Sequence, residues 1–417
     1  MKLTKEEKSW ILYDVANSAF VLILSATIPV YFRAIAEADG VSSTQASSLF
    51  ASTTSIAVLI VAILAPILGS IADTKGMKKK LFSVALAVGI LGGLSLAVVD
   101  NWQAFLYLLI LARVGYSLCN VFYDSMLTDV STDEKMDYVS GAGFAWGYVV
   151  STIPFIMGIA LIMFEPFGLD TATATKISFL ITVLWWAIFS IPILRDVKQK
   201  YYIEEPLSHV VKNLFSGLKN TLKKINANKQ MKYFMIAYFC YIDGVYTIIS
   251  QSTNFGGEVG IGTNEMIIAL LMTQFVAFPF AILSGRLAKR FGQINMLIYY
   301  ISLYIFIAAI GFIMSEAWHF WLLAFLVGLA QGGIQSISRS YFGKLVPKHE
   351  SNEYFGFFDI FGKFADFLGP LLLAFSASFL GASRYGILAL ILLFLAGIYF
   401  LNKTKHEDEL NSAKQRT

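Results

Sequence analysis

The chain has 417 residues, 57% of them hydrophobic, 15% aromatic and only 14% charged, with a net charge of +4. A soluble globular domain carries about 25% charged residues, so this composition excludes an ordinary soluble enzyme. The basic residues are spread along the chain rather than gathered on one soluble face, which gives no reason to expect nucleic acid as a partner.

Apolar windows recur along the whole chain, each long enough to cross a hydrocarbon core of about 30 Å as a helix. They predict twelve spans, near residues 9–36, 46–72, 81–99, 103–129, 137–164, 176–194, 231–253, 264–288, 292–314, 318–344, 353–379 and 384–402. The first apolar run, Trp10 to Tyr31, is too long for the core of a cleaved signal. Lys and Arg concentrate at the N-terminus, the turn after span 2, the stretch 195–232, the turn after span 8 and the tail. The opposite loops carry mainly acids (Glu37, Asp39, Asp100, Glu165, Asp170, Glu258, Glu316), so both termini are expected in the cytoplasm. The stretch 195–232 divides the spans six and six. The expected organisation is an N-terminal bundle at 1–195, a cytoplasmic linker at 196–230, and a C-terminal bundle with a short tail at 231–417. In the linker, Leu207, Val210, Val211, Leu214, Leu218, Leu222 and Ile225 recur at helical spacing beside Lys212, Lys219, Lys223 and Lys224. This predicts an amphipathic helix on the inner leaflet; partner binding is the other reading.

Two charged landmarks repeat at one offset of 216 residues. Gly69-Ser70-Ile71-Ala72-Asp73-Thr74-Lys75-Gly76, followed by Lys78 to Lys80, answers to Gly285-Arg286-Leu287-Ala288-Lys289-Arg290-Phe291-Gly292. Val130 to Tyr138 (VSTDEKMDY) answers to Val346 to Tyr354 (VPKHESNEY). The chain therefore contains one unit twice. Six plus six spans, a cytoplasmic linker and a repeated 2–3 turn resemble the major facilitator transporters. Gly69, Ala72, Asp73, Gly76 and Lys78 match that family's G-x-L-a-D-r-x-G-r-k turn, with Ile71 in place of Leu; Thr74 and Met77 depart from it. The resemblance implies that Gly69, Asp73, Gly76, Lys78, Gly285, Arg286 and Gly292 serve the cytoplasmic gate. The opening Trp10-Ile11-Leu12-Tyr13-Asp14-Val15-Ala16-Asn17-Ser18-Ala19-Phe20 is similar to the W-x-x-Y-D-x-A-N-S-A-[FY] of the Atg22-like branch, the vacuole-effluxer-like transporters and their bacterial relatives. Asn120 to Asp124, Val139 to Gly141 with Trp146 to Tyr148, and Tyr241 to Val245 resemble the same branch, although Asp124 departs from it.

The residues themselves offer no enzyme constellation. The four histidines lie in loops, linker or tail, and there is no GK[ST] phosphate loop. The two cysteines, Cys119 and Cys240, lie in separate apolar runs and form neither a disulfide framework nor a CxxC site. No metal and no cofactor is expected. What remains is a sparse set of ionisable residues inside spans: Asp14, Arg113, Asp124, Asp243, Arg339, Asp359, Lys363 and Asp366. In lipid each costs about 2.5 kcal/mol or more, so each is expected to face a cavity or another charge. Asp243 reads as a group for substrate amine or proton coupling, or as half of a structural ion pair. Arg113 reads as a bidentate holder of a carboxylate or as a structural partner of an acid. Asp14 reads as helix-end packing. Asp359, Lys363 and Asp366 share one stripe, which reads as an ion-pair ladder with Asp366 as an alternative coupling group. Asn17, Tyr123, Trp146, Tyr246, Gln251, Asn254, Gln274, Gln331 and Gln335 are the remaining candidates for substrate or cavity lining.

The expectation is an all-α integral membrane protein with twelve transmembrane helices in two six-helix bundles, monomeric, multi-pass, in a bacterial plasma membrane. From the resemblance comes the expected activity: alternating-access export of amino acids or similar small zwitterions, with proton coupling as an option. A lipid or amphiphile transporter, or a non-transporting membrane sensor on the same scaffold, is the alternative.

Overall fold

The computed structural model describes residues 2–258, 260–314, 316–380 and 384–414. Among them the chain is helical throughout, with no strand and one isolated bridge between Thr74 and Ile203. The first span is two helices, α1 (Lys5–Ser25) and α2 (Thr27–Ala38). There follow α3 (Ser43–Ala72), α4 (Met77–Leu96), α5 (Trp102–Val130), α6 (Met136–Phe164) and α7 (Thr171–Asp196). The linker forms α8 (Leu207–Lys212) and α9 (Leu214–Ala227). The second half comprises α10 (Lys229–Glu258), α11 (Thr263–Phe291), α12 (Gln293–Ile313), α13 (Ala317–Leu345), α14 (Ser351–Leu380) and α15 (Arg384–Lys414). Eleven spans among the described residues are long and apolar enough to cross a membrane. The 30-residue α14 is the twelfth member of the fold.

Short polar residues in the connections start these helices. Thr4 forms a capping box with Glu7 at α1, and Ser42, Asn101 and Asp170 accept main-chain N–H groups at the starts of α3, α5 and α7. Each satisfies donors that a helix start leaves orphaned. The hydrogen bonds from Thr173 hold the Asp170 carboxyl below its usual range.

The chain forms two compact units. The first comprises Met1–Ser131, Trp146–Lys212 and Pro347–Gly356; the second comprises Thr132–Ala145, Asn213–Val346 and Phe357–Thr417. In the first, α1 packs on α7, α3 on α5, and α4 on both α5 and α7. In the second, α10 packs on α15, α11 on α13, and α12 on both α13 and α15. These are the same four pairings, shifted by six spans, as the sequence repeat requires.

Three details depart from the sequence reading. The first span is interrupted at Ala26, whose φ/ψ of −110°/−55° closes α1 before α2 begins. The linker amphipathic segment is two helices, broken at Asn213. Finally, α15 runs well past residue 402, because its polar end finds partners on α10: Gln230 Nε2 donates to Asp408 Oδ1 at 2.7 Å, and Asn411 Nδ2 donates to Gln230 Oε1 at 3.1 Å.

Candidate functional site

In the first unit, the turn Asp73–Gly76 follows α3 and meets the start of α14. Asp73 is 2% exposed. Its Oδ1 accepts from Asn352 N at 2.9 Å and Asn352 Nδ2 at 2.8 Å, and its Oδ2 accepts from Glu353 N at 3.0 Å. A carboxylate from α3 thus caps the first turn of α14, where the helix dipole favours an anion. Burial pushes this carboxyl up to about 7, against the opposing pull of Lys78 and the N–H donors. Beside it, Lys78 Nζ donates to Asp129 Oδ2 at 2.5 Å and to Ser351 Oγ at 3.2 Å, with Lys78 1% exposed. Ser125 Oγ donates to Asn352 Oδ1. The close approach needs glycine: a Cβ at Gly69 would lie 2.5 Å from Asn352 O and 3.0 Å from Glu353 Cα. Gly76 serves differently, with φ +74° at the entry to α4 and nothing within 4 Å of a Cβ. The linker straps this turn in place. Gln199 Nε2 donates to Ala72 O, Gly76 N donates to Gln199 Oε1, Ile203 N donates to Asp73 O, and Asp129 Oδ1 accepts from Lys200 N and Tyr201 N.

The second unit holds the start of α6 with different chemistry. A Cβ at Gly285 would lie 2.6 Å from Asp137 O and 2.9 Å from Tyr138 Cα, which repeats the Gly69 geometry. At the place of Asp73 stands Lys289, which is exposed. Here Asp137 on α6 is the bonded carboxylate: Ser340 Oγ donates at 2.7 Å, Gln293 Nε2 at 2.6 Å and Lys344 Nζ at 2.8 Å. Arg339 is buried, donates from Nε to Ser140 Oγ at 3.0 Å, and stacks its guanidinium over the Phe144 ring at 4.2 Å. Arg286 is exposed, 6.0 Å from the centroid of the Tyr138 ring, and Gly292 takes φ +86° before α12.

The candidate lining residues are placed separately in each unit. In the first, Asn17 Nδ2 donates to Asn120 Oδ1 at 3.1 Å, joining α1 to α5. Tyr123 is packed in the core, its ring 4.4 Å from Trp10 and 4.8 Å from Tyr13. Arg113 is half-buried, and Trp146 is 45% exposed. In the second, Asp243 is fully buried and its Oδ1 accepts from Gly369 N at 2.8 Å, next to Pro370, which has no N–H to give. Tyr246 and Gln335 are half-buried. Gln251 lines a cavity of about 140 Å³ among α10 to α15, with Thr247, Gln274 and Gln331. Lys363 and Asp359 pair at 3.2 Å along α14. The Asn254 and Asp366 side chains lie outside the described residues. Among the described residues no group of His, Cys, Asp and Glu is arranged to hold a metal ion.

Asp129, Ser351, Asn352, Ser340, Lys344 and Gln293 were not candidates on sequence grounds. The signal for part of this set was the second repeated landmark, which aligns Asp137 with Glu353 and so marks both docked helix starts.

A model of the family described as "Vacuole effluxer Atg22 like" matches residues 3–413. This chain belongs to that family. The Atg22-like chain is 42% identical over 422 residues to the uncharacterized MFS-type transporter YxiO of Bacillus subtilis, covering 100% of this chain and 98% of that one. It is 23% identical over 486 residues to autophagy-related protein 22 of Saccharomyces cerevisiae strain S288c, covering 95% and 90%. In fold it is similar to the human organic anion transporter MFSD10, with a TM-score of 0.75, 13% identity and coverage of 95% and 99%. It is similar also to the transporter FucP in its outward conformation, with a TM-score of 0.71, 15% identity and coverage of 96% and 97%. Family and fold together make the Atg22-like protein a multi-pass membrane transporter of the major facilitator type, not an enzyme.

Proposed function

We propose that this Atg22-like protein works by alternating access and exports amino acids or similar small zwitterions. In this reading it sits as a monomer in a bacterial plasma membrane, with both termini cytoplasmic. The observation that carries the reading is the pair of docked helix starts. Residues 347–356 seat in the first unit and 132–145 in the second. Each does so through a glycine that admits main-chain contact and through polar side-chain bonds. Two such releasable latches at one repeat offset suit a transporter that opens and recloses one face. The family's description as an effluxer supports the export direction. Gly69, Asp73 and Lys78 form the first latch, with Gly76 shaping its turn; Gly285 forms the second, with Arg286 and Gly292 at its turn.

Within the spans, Arg113 takes the substrate carboxylate and Asp243 takes the amine or a coupling proton. Asn17, Trp146, Tyr246, Gln251 and Gln335 supply polar and aromatic lining, and Tyr123 shapes that lining through its packing on Trp10. Asp366 is the second candidate for coupling. The test uses purified protein in proteoliposomes with a panel of amino acids, comparing proton-gradient-driven transport with counterflow exchange. Asp243→Asn is expected to abolish the gradient-driven mode and retain exchange. Full activity of that variant in both modes removes Asp243 from the mechanism, and no transport of any amino acid by the native protein overturns the substrate class.

A further inference from the structure

The cavity inside the second unit shares Gln251 with the proposed substrate lining, but most of its wall takes no part in the latch or lining chemistry described above. It lies among the C-terminal half of α10, the N-terminal halves of α11, α13 and α15, the C-terminal end of α12, and Leu373 of α14. Its wall is mainly aliphatic and aromatic, and no charged residue lines it among the described residues. Ile261, Ala269, Met314 and Phe320 form an apolar cluster at one end, with Trp321 packed against them. At about 140 Å³ it matches the size of engineered apolar cavities that take a benzene-sized body.

Thr247, Gln251, Ser252, Thr273, Gln274 and Gln331 are the polar members of this wall, and two of them carry buried atoms that are unsatisfied. Thr247 is 0% exposed and Gln331 3% exposed, and both line the cavity. Thr247 Oγ1 and Gln331 Nε2 have no hydrogen-bond partner among the described residues. Buried polar atoms in native proteins are nearly always satisfied. Gln331 Nε2 donates only, so its missing partner is an acceptor; the Thr247 hydroxyl serves as donor or acceptor. With no charge on the wall among the described residues, an ionised partner would be left uncompensated.

We propose that this cavity is a binding site for a small neutral amphiphile: a ring or short branched alkyl body carrying one hydroxyl oxygen, held by Gln331 and Thr247. The apolar body fills the aliphatic wall and the oxygen meets the two orphaned groups. The site shares Gln251 with the amino acid reading above but rests on Gln331 and Thr247, to which that reading gives no role.

The test uses the full-length protein in lipid nanodiscs, with 4-bromobenzyl alcohol as a quencher of Trp321 and protein-free nanodiscs as the partition control. Trp321→Phe isolates the quenching of that residue. Saturable quenching is expected, about fivefold tighter for the alcohol than for 4-bromotoluene, which lacks the oxygen. Gln331→Leu is expected to bring the two probes to equal affinity. Gly311→Leu is expected to abolish quenching: a Cβ there meets only Ile387 and Leu323, at 3.7 and 4.0 Å, so the larger side chain enters the cavity without a backbone clash. Non-saturable quenching, equal affinity of both probes for the native protein, or unchanged binding in Gly311→Leu each overturns the proposal. In the first case water, not a ligand, satisfies Gln331 and Thr247.

Discussion

Replacing Gly69 by alanine tests the first latch through its narrowest point. The added Cβ would lie 2.5 Å from Asn352 O, 2.9 Å from Asn352 C and 3.0 Å from Glu353 Cα, all main-chain atoms. No side chain moves aside, so α3 and the start of α14 must separate by about 0.9 Å to reach an ordinary contact. The three bonds accepted by Asp73 span 2.8 to 3.0 Å. The same separation stretches them to roughly 3.8 Å, too long for a hydrogen bond. Held in place, the overpacking costs about 1–3 kcal/mol. Relieved by separation, the loss is about 0.5–1.5 kcal/mol for each of the three bonds. The two routes overlap at about 2–3 kcal/mol, roughly thirtyfold to a hundredfold in the docking equilibrium.

Hydrogen exchange of the peptide covering 347–356, in nanodiscs, reads this directly, because the Asn352 and Glu353 amides are bonded to Asp73. Their exchange is expected to quicken by roughly thirtyfold to a hundredfold in Gly69→Ala, as a local opening becomes cheaper. Gly76→Ala is the control. Its Cβ meets nothing within 4 Å, so only the left-handed backbone is strained, by about 1–2 kcal/mol within the turn. Native-like exchange at 347–356 in Gly69→Ala would refute the latch, as would equal acceleration in both variants.

Gly285→Ala meets Asp137 O at 2.6 Å and should accelerate exchange at 132–145 while leaving 347–356 unchanged. Lys78→Met strands the buried Asp129 carboxylate and should destabilise the protein by about 3–5 kcal/mol; thermal unfolding should show partial recovery in the Lys78→Met, Asp129→Asn double variant. Asp73, raised from 3.8 to about 7 by burial, favours its protonated form when docked. Its contribution to docking is therefore complete below about pH 4 and is lost as pH rises through 7. A nitroxide at Pro347→Cys should gain mobility from pH 5 to 8, and Asp73→Asn should flatten that profile; a flat native profile would rule out Asp73 as the titrating group.

Charge is scarce in an apolar chain, so its landmarks were readable: the turn at Asp73, its copy at 285–292 and the pair 130–138 and 346–354 all stand out against hydrophobic runs. The helix pairings follow from that repeat. The partners of those landmarks were not readable. Lys78 meets Asp129 and Ser351, which lie 51 and 273 positions away, and nothing local in the sequence marks such distances. The strap of Gln199 and Ile203 bonds largely through main-chain groups, which every residue carries. The cavity around Gln331 is built from apolar side chains on six helices, each of which reads singly as ordinary span. The break at Ala26 did have a local signal in Pro29, whose missing N–H and ring fall at the carbonyl of Ser25, the last residue of α1.

The repeat also hides a chemical asymmetry with consequences for regulation. In the first unit the carboxyl sits on the turn, buried, and caps a helix start with N–H donors, so protons govern it. In the second, the turn has Lys289 at that place and the anion has moved to the docked helix as Asp137. Its partner Lys344 is 24% exposed in its side chain, and Asp137 itself 9%. A partly exposed ion pair is screened by salt, whereas a buried carboxyl held by main-chain donors is screened much less. The two latches should therefore separate under titration. Raising ionic strength at pH 6 should speed exchange at 132–145 with little change at 347–356, while raising pH at fixed ionic strength, after correction for intrinsic exchange, should do the reverse. If both segments respond alike to both variables, the substitution of Lys289 for the aspartate has no bearing on how the latches open.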